Sequence, residues 1–174
     1  MIVLIFMVWF FRDPEREIPE QAEVVSPADG KIIAVDRVQK EDREYKRISI
    51  FMSILNVHVN RTPCSGEIID KEYVEGKFLP AFDPKSSVEN ERCKISIKKG
   101  DHLIFVTQIA GLVARKIVNN FERGQEVRVG DKMGIIKFGS RVDLEIPMKY
   151  DTLVQTGQKV KAGATELAKF EHKT

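Results

Sequence analysis

Short β-rich runs separated by turn-forming residues follow Pro19, and they constrain the fold of this chain more than any other feature. The turns between them include the segments 28–30, 62–66 and 99–101, which contain Gly, Pro, Asp or Ser. No sustained helical period of apolar residues occurs beyond the N-terminus. The sequence therefore predicts an all-β fold. The runs are Gly30–Val38, Arg47–Met52, Val57–Asn60, Glu67–Val74, Lys94–Lys98 and Leu103–Ile109.

An internal repeat refines this fold prediction. The heptapeptide Gly124–Gly130 recurs with the same glycine spacing as Gly157–Gly163, and each copy leads into a further apolar run. Repeated β-turn-β units of this kind predict a pseudo-symmetric barrel-sandwich related to the hammerhead of biotinyl and lipoyl carrier domains. In those carriers a hairpin bears the modified lysine. Counting forward from the first repeat places Gly139-Ser140 at that hairpin.

Length and charge set modest bounds on function. A chain of 174 residues is suited to one domain with a useful core, and its net charge of +2 gives no argument for a nucleic-acid partner. The two cysteines, Cys64 and Cys93, have no metal-binding spacing and form no disulfide framework. We therefore expect a reducing intracellular setting, with both thiols packed as small apolar groups.

The N-terminal segment Met1–Phe11 is entirely apolar and ends at Arg12-Asp13-Pro14. A helix that spans a bilayer needs about 20 apolar residues, so this segment is too short to cross. It also lacks the basic start and small-residue cleavage site of a signal peptide. We expect residues 1–18 to associate with the membrane, dipping into one leaflet or continuing a longer hydrophobic segment, and residues 19–174 to form one domain. The alternative is a first strand or helix buried in the core.

The dipeptide Gly139-Ser140 carries the clearest chemical signal. It lies between the strand-like runs Met133–Phe138 and Val142–Ile146, so we expect a tight turn there. A serine hydroxyl at such a turn can reach the carbonyl of the preceding residue, and glycine puts no side chain in the way. This arrangement suits self-cleavage that converts Ser140 into a pyruvoyl group. Such a group would hold a substrate amine without pyridoxal phosphate.

A series of motifs spread over the chain resembles short-form phosphatidylserine decarboxylases, of the type that includes archaetidylserine decarboxylases. Each motif is weak alone, but their order and spread over the chain are specific. They are Phe11-Arg12-Asp13-Pro14, Ser26-Pro27-Ala28-Asp29-Gly30, Asn56-Val57-His58-Val59-Asn60-Arg61, Ala81-Phe82-Asp83-Pro84-Lys85, Asn90-Glu91-Arg92, Gln108-Ile109-Ala110-Gly111 with Ala114-Arg115, and Phe138-Gly139-Ser140-Arg141.

The resemblance implies an activity and its cofactor. The precursor would cleave itself into a β chain (1–139) and an α chain (140–174), with a pyruvoyl group from Ser140 and neither a metal nor pyridoxal phosphate. The mature carboxy-lyase would convert phosphatidylserine or archaetidylserine into the ethanolamine lipid and carbon dioxide. The resemblance implies a cell-membrane location with the domain on the cytoplasmic side, and exposed strands are compatible with a homodimer.

The same resemblance assigns catalytic residues. An Asp-His-Ser constellation in the family matches Asp29, His58 and Ser140 of this sequence. His58 would be the base in maturation and the proton donor in turnover, because its ordinary pKa suits proton transfer near neutrality. Asp29 would orient it. Longer family members carry a second histidine in this segment; here Arg61 lies nearest Pro63, so either His58 does both jobs or Arg61 replaces part of the second.

Strand alternation around His58 makes a further prediction. Val57 and Val59 would point to the core, while His58 and Asn60 point to the opposite face. Taken without the family resemblance, His58 could simply be a packed strand histidine, and Asp29 could serve only its own turn.

A lipid phosphate needs a cationic partner, and a guanidinium fork fits its oxygens. Arg115 is the first candidate and Lys116 the second, while the other predicted substrate-binding residues are Arg61, Asn90 and Arg92.

Two other classes of function compete with the decarboxylase. A biotinyl or lipoyl carrier, or a binding module, would stay uncleaved and would carry a modified lysine where this sequence has Ser140. A sugar phosphocarrier or metallopeptidase-like domain would need paired histidines, whereas His58, His102 and His172 are scattered without ligand spacing.

Overall fold

A computed structural model describes residues 1–40, 42–76, 80–81, 85–111, 116–137 and 139–171. These residues form a mainly β structure, which confirms the predicted fold class. The helices are α1 (Ile2–Phe10) and α2 (Ser86–Glu89). The strands are β1 (Val24–Val25), β2 (Gly30–Lys40), β3 (Arg43–Met52), β4 (Val59–Arg61), β5 (Gly66–Val74), β6 (Arg92–Lys99), β7 (His102–Ile109), β8 (Ile117–Asn119), β9 (Glu126–Val127), β10 (Lys132–Ile136), β11 (Ser140–Pro147), β12 (Tyr150–Thr152), β13 (Lys159–Val160) and β14 (Glu166–Phe170).

The strands form three antiparallel sheets around one core. The large sheet has the order β13-β2-β3-β11-β7-β6-β5-β9 and curls into a half-barrel, and the two small sheets are β1-β14-β12 and β4-β10-β8. A single cluster of buried apolar side chains draws on all three sheets, with Ile50, Leu144 and Ile97 from the large one and Leu167 and Met133 from the small ones. The small sheets therefore close over the apolar face of the large sheet.

The large sheet has the same arrangement when it is read from either end. Its eight strands divide into two sets of four, β13-β2-β3-β11 and β9-β5-β6-β7, which match strand for strand when each is read from its edge of the sheet inward. Each quartet has an irregularity at the same place, between Ile32 and Ala34 in β2 and between Ile68 and Asp70 in β5. We call β1–β3 with β11–β14 the outer half, and β4–β10 the inner half. The two halves are internal copies of one unit.

The heptapeptide repeat closes each half in the same way. All four of its glycines have left-handed backbones, with φ of +84° at Gly124 and Gly130, +95° at Gly157 and +74° at Gly163. The amide of Gly124 donates to the carbonyl of Ile68 (2.7 Å), and that of Gly157 donates to Ile32 (2.8 Å). The repeat seen in the sequence is thus a true structural duplication, and it extends over the whole domain.

The hairpin expected at Gly139-Ser140 is absent from the structure, which corrects that expectation. Strand β10 pairs with β4 and β8, while β11 pairs with β3 and β7. Both edges of each strand are therefore occupied, so the two strands cannot pair with each other. The residues between Ile136 and Ser140 instead carry the chain from a small sheet to the large one.

The N-terminal apolar segment forms a helix that lies mostly outside the core. Phe10 is fully buried, whereas Leu4, Ile5 and Val8 are 69%, 61% and 70% exposed. In the described part of the chain, no helix has the length and apolar character needed to cross a membrane. Membrane association of this segment stays a prediction at this point.

Candidate active site

Ser140 is the first residue of β11 and is fully buried. It lies directly opposite Met52 of β3 in the ladder, and its Oγ donates to the Met52 Sδ at 3.4 Å. A thioether is a weak acceptor, so this contact holds the hydroxyl only loosely. The Ser140 hydroxyl is buried beside the peptide bond expected to break, and it is free to turn toward a stronger acceptor.

Gly139 owes its place to its backbone conformation. Its φ is +56°, in the left-handed region, where a side chain costs about 1–2 kcal/mol. Within the described residues no heavy atom beyond its chain neighbours lies within 4 Å of where a Cβ would be. Crowding by other described parts of the chain is therefore not what requires glycine here. The backbone angle is what requires it.

The carbonyl of Gly139 packs against a second glycine. A Cβ built on Gly111 would lie 1.9 Å from the Gly139 carbonyl oxygen, so only glycine permits this approach. The preceding residue, Ala110, is fixed on both sides: its amide donates to the Glu91 carbonyl (2.9 Å), and its carbonyl accepts from Asn90 Nδ2 (2.7 Å). The Asn90 side chain, predicted to bind substrate, is used to hold the segment that supports the scissile carbonyl.

His58 is fully buried and lies just before β4. Its Nδ1 is 3.0 Å from the carbonyl oxygen of Asn56, and a carbonyl can only accept, so Nδ1 carries the proton. Its Nε2 has no hydrogen-bond partner among the described residues, and the Phe10 ring lies over the imidazole with 4.2 Å between centroids. Burial lowers the pKa of His58 to about 4; the bond to Asn56 opposes this shift, and the nearby Arg12 charge adds to it. His58 is thus a neutral imidazole with a free basic nitrogen.

Asp29 is engaged away from His58. Its two carboxylate oxygens accept from Arg16 Nη2 at 2.9 and 2.8 Å, and one also accepts from the Ala162 amide at 2.8 Å. It therefore ties the stretch that follows α1 to the 157–163 turn. Its charge raises the pKa of His58 only as a minor contribution, and the atom that orients the imidazole is the Asn56 carbonyl oxygen. The orienting role predicted for Asp29 stays a prediction.

Arg61 links the N-terminal stretch to the domain. Its Nη1 donates to the Gly130 carbonyl at 3.1 Å, and its Nη2 forms an ion pair with Asp13 at 2.8 Å. The side chain is nearly buried, with 9% exposure for the residue. These contacts give Arg61 a structural role, and its predicted contribution to substrate binding stays a prediction.

The remaining predicted cations lie in different places. Arg92 lines a cavity of about 340 Å³ with Asp143 and Glu145, on the face of the large sheet away from the apolar core and hence away from Ser140. Lys116 is exposed just before β8. Arg115 lies outside the described residues. Of the two described cations, Lys116 is exposed and Arg92 is half-buried.

A cofactor at this site would be either a separate group held by side chains, such as a metal ion, or a group made from a residue of the chain. Within the described residues no three His, Cys, Asp or Glu side chains come together as a group that could hold a metal ion. Ser140, beside the left-handed Gly139, is the residue whose chemistry can create a prosthetic group in place.

Several residues of the site were not found from the sequence. Phe10 over His58 is one, because nothing local links the apolar segment to a histidine far along the chain. Asn60 is another: alternation placed it opposite the core, yet it is fully buried, and the strand around it is Val59–Arg61 rather than 57–60. Its amide oxygen accepts from Gln108 Nε2 at 2.8 Å, which explains how a polar residue is tolerated there.

Comparison with known proteins gives the class to which this fold and site belong. A sequence profile described as phosphatidylserine decarboxylase matches residues 3–168. Relatives named phosphatidylserine decarboxylase proenzyme include those of Pelodictyon phaeoclathratiforme (42% identical over 172 residues, 97% of this chain and 81% of the relative), Chlorobium phaeobacteroides (45% over 171 residues, 97% and 81%) and Nitrosomonas europaea (44% over 173 residues, 97% and 80%).

The chain belongs to the phosphatidylserine decarboxylase family. The resemblance drawn from the motifs is confirmed, and so is the enzyme class, a carboxy-lyase. The carrier alternative is not favoured.

Gly139→Ala tests the role of the left-handed backbone, and Gly100→Ala is its matched control. Gly100 has φ of +58° in an exposed turn, also with nothing described within 4 Å of a Cβ. In a Ser140→Ala background, both changes should lower the free energy of unfolding by a similar amount, about 1 kcal/mol. With Ser140 present, Gly139→Ala should slow self-cleavage by roughly tenfold or more, because it displaces the reacting carbonyl, while Gly100→Ala should not. Equal cleavage rates for the two variants on a time course by denaturing gel would contradict this interpretation.

The pH dependence of self-cleavage tests the state of His58. With a pKa of about 4, the imidazole stays in its basic form well below its ordinary 6.5. Cleavage should therefore be constant from about pH 8 to 5 and fall to half near pH 4. Phe10→Ala, which lets water reach the ring, should move this midpoint upward, while Val8→Ala on the exposed side of α1 should not. A wild-type midpoint near the ordinary value would show that burial does not control this histidine.

Proposed function

We propose that this chain is a proenzyme that cleaves itself between Gly139 and Ser140 and then decarboxylates phosphatidylserine to the ethanolamine phospholipid, releasing carbon dioxide. The observation that carries the proposal is the buried Ser140 directly after a glycine with φ of +56°, in a chain of this family. The printed names of the relatives, which are phosphatidylserine decarboxylase proenzymes, support both the processing and the substrate. They favour phosphatidylserine over the archaetidyl lipid.

In the self-cleavage that we propose, the reacting groups are Ser140, Gly139 and His58. The Ser140 Oγ attacks the Gly139 carbonyl carbon, its proton passes to Nε2 of His58, and the peptide nitrogen leaves with a proton, so that an ester joins the two residues. Removal of the Cα proton of Ser140 then breaks its Cβ–Oγ bond, and Gly139 departs as a carboxylate. The dehydroalanine left behind takes up water and releases ammonia, which leaves the pyruvoyl group.

The surroundings of position 140 fit such a group. The position is buried, and among the described residues its side chain hydrogen-bonds only to the Met52 sulfur. The adjacent backbone packs on Gly111. A pyruvoyl group supplies an electron-accepting carbonyl that binds the substrate amine and takes up the electrons left when carbon dioxide departs. His58 can then deliver to the product a proton that Nε2 has taken up from the condensing substrate amine, while Asn56 holds Nδ1.

The substrate phosphate needs a cation at the open side of the site. We assign this role first to the pair Arg115 and Lys116, supported by the exposure of Lys116. Arg61 and Arg92 already donate to other groups of the protein, at 2.8 Å to Asp13 and 3.3 Å to the Asn90 carbonyl. They are weaker candidates for the phosphate.

We also propose that α1 docks on the membrane surface. Besides the exposed side chains of the helix, Ile54 and Leu55 are 48% and 66% exposed in the loop after β3, and Arg12 joins this loop to α1 by donating to the Leu55 carbonyl (2.9 Å). The Arg12 guanidinium lies over the Trp9 ring at 3.9 Å, an arrangement suited to the polar edge of a bilayer. Because Phe10 of the same helix covers His58, docking would bring the lipid headgroup to the site.

A position on the cytoplasmic face of the cell membrane fits this docking and stays a prediction, as does a homodimer.

Intact mass spectrometry of wild type and Ser140→Ala tests the proposed function. The wild type should give a C-terminal chain of 35 residues (140–174) and release carbon dioxide from phosphatidylserine, and borohydride with that lipid should trap an adduct at residue 140. Ser140→Ala should stay whole and inactive, while Ser96→Ala, at a buried serine on β6, should behave as wild type. An intact wild-type chain with full activity would overturn the proposal.

Vesicle flotation tests membrane docking. Leu4→Glu with Val8→Glu places two charges on the exposed side of α1 and should reduce binding to vesicles of phosphatidylserine and phosphatidylcholine roughly tenfold or more. The control is Leu153→Glu, at a side chain that is 49% exposed elsewhere on the domain. Equal flotation of the double variant and the control would rule out α1 as the docking element.

A further inference from the structure

Three amide side chains, of which Asn60 and Gln108 are fully buried and Asn119 is half-buried, form a continuous hydrogen-bonded relay that ends beside Ser140. The backbone amide of Phe121 donates to Asn119 Oδ1 (3.1 Å), and Asn119 Nδ2 donates to Gln108 Oε1 (2.9 Å). Gln108 Nε2 donates to Asn60 Oδ1 (2.8 Å), and Asn60 Nδ2 donates to Met52 Sδ (3.6 Å). We call these three amides the amide relay.

The backbone amide at its start fixes the direction of the whole relay. A peptide N–H can only donate, so Asn119 must turn its oxygen toward Phe121 and its nitrogen toward Gln108. The same requirement passes along to Asn60, whose oxygen is occupied by Gln108. Asn60 therefore presents an N–H donor, and not an oxygen, at the end of the relay.

That donor is held next to Ser140, and its acceptor among the described residues is the weakly accepting sulfur of Met52. Met52 Sδ accepts from both Asn60 Nδ2 (3.6 Å) and Ser140 Oγ (3.4 Å), so the two groups flank one sulfur. A thioether satisfies an amide N–H poorly compared with an oxygen. The donor is thus available to an oxygen that gains negative charge at this site.

The internal duplication shows that the fold does not need these amides. The counterpart of Asn60 is Val24: Asn60 lies opposite Gly134 in the β4–β10 ladder, as Val24 lies opposite Ala168 in β1–β14. Val24 is fully buried and apolar.

Gln108 has an apolar counterpart as well. Its equivalent in β11 is Ile146, since Gln108 pairs with Cys93 of β6 and Ile146 pairs with Lys46 at the matching place in β3. Ile146 too is fully buried. Burying an amide costs free energy that burying Val or Ile does not, so the inner half retains these polar groups at a cost that the outer half avoids.

We propose that Asn60 is a hydrogen-bond donor to the Gly139 carbonyl oxygen during self-cleavage, with Gln108 and Asn119 as positioning residues that fix its orientation. When the Ser140 Oγ bonds to the Gly139 carbon, the electron pair of the C=O bond moves onto its oxygen. Asn60 Nδ2–H exchanges the sulfur of Met52 for that negative oxygen, and no proton is transferred. This inference rests on the self-cleavage proposed above.

The test replaces each inner-half amide with the residue at its counterpart, Asn60→Val and Gln108→Ile. Each single change leaves the other buried amide without its partner and should lower stability, whereas the double variant, which removes both partners, should be as stable as wild type or more so by thermal unfolding. The precursor should cleave roughly a hundredfold more slowly in Asn60→Val and roughly tenfold more slowly in Gln108→Ile. A purely structural role predicts lower stability for the double variant as well, with an unchanged rate for the folded precursor. Unchanged cleavage in folded Asn60→Val, beside a wild type that cleaves, would overturn the inference.

Gln108→Glu provides a second test, which does not require that Asn60→Val and Gln108→Ile fold. An ionised carboxylate at 108 cannot donate to Asn60, which frees the Asn60 amide to turn over, and cleavage should slow at neutral pH. Burial raises the pKa of a carboxyl at this position, so acidification from about pH 8 to 5 should protonate it, restore a donor and return cleavage toward the wild-type rate. A rate that stays flat with pH would argue against the relay.

The controls separate this inference from the proposed function. Val24→Ala, at the outer-half counterpart, should lower stability and leave the cleavage rate of the folded precursor unchanged. If wild type and Ser140→Ala are equally uncleaved, the proposed function itself fails. If wild type cleaves and all the relay variants cleave at its rate, only the relay inference fails.

Discussion

Backbone hydrogen bonds at the two glycine-bounded turns, 124–130 and 157–163, determine how this domain closes. The Gly130 amide donates to Thr62 (2.9 Å) and the Gly163 amide donates to Ser26 (2.8 Å), so each turn fastens the start of a long strand to the small sheet above it. Only glycine adopts the left-handed angles of these turns at little cost. Without them the small sheets would not cover the apolar face of the large sheet, and Ser140 would lie in water.

The duplication also explains why the chemistry occupies one end of the domain. The counterpart of Ser140 is His102, which packs against Phe170 with ring centroids 5.3 Å apart, and the counterpart of Asp29 is Ser65, which accepts the Val129 amide as Asp29 accepts that of Ala162. The two ends share backbone geometry and differ in side chains. Asp29 thus has a turn-capping duty independent of catalysis, one that a neutral serine fulfils in the other half.

The sequence predicted what depends on local pattern. Alternation and turn residues located the long strands, and the spacing of glycines located the repeat, because each of these signals lies within a short stretch. The motifs likewise located Gly139-Ser140 and His58. The predictions that failed concern contacts between residues far apart in the chain. Strands β10 and β11 are consecutive yet belong to different sheets. Asn60 can be buried because its amide oxygen accepts a hydrogen bond from Gln108. The contact of Phe10 with His58 also depends on residues far apart in the chain, and burial is the largest cause of the lowered pKa of that histidine.

The position of β11 has a consequence for the molecule that the proposed cleavage before Ser140 would produce. Residues 140–174 contribute the strand at the middle of the large sheet, with ladders to β3 and β7, a strand at its edge on β2, and two of the three strands in one small sheet. The two fragments are interleaved rather than side by side. Dilution cannot pull them apart without melting the sheet, so the nicked protein should behave in solution as a single inseparable body.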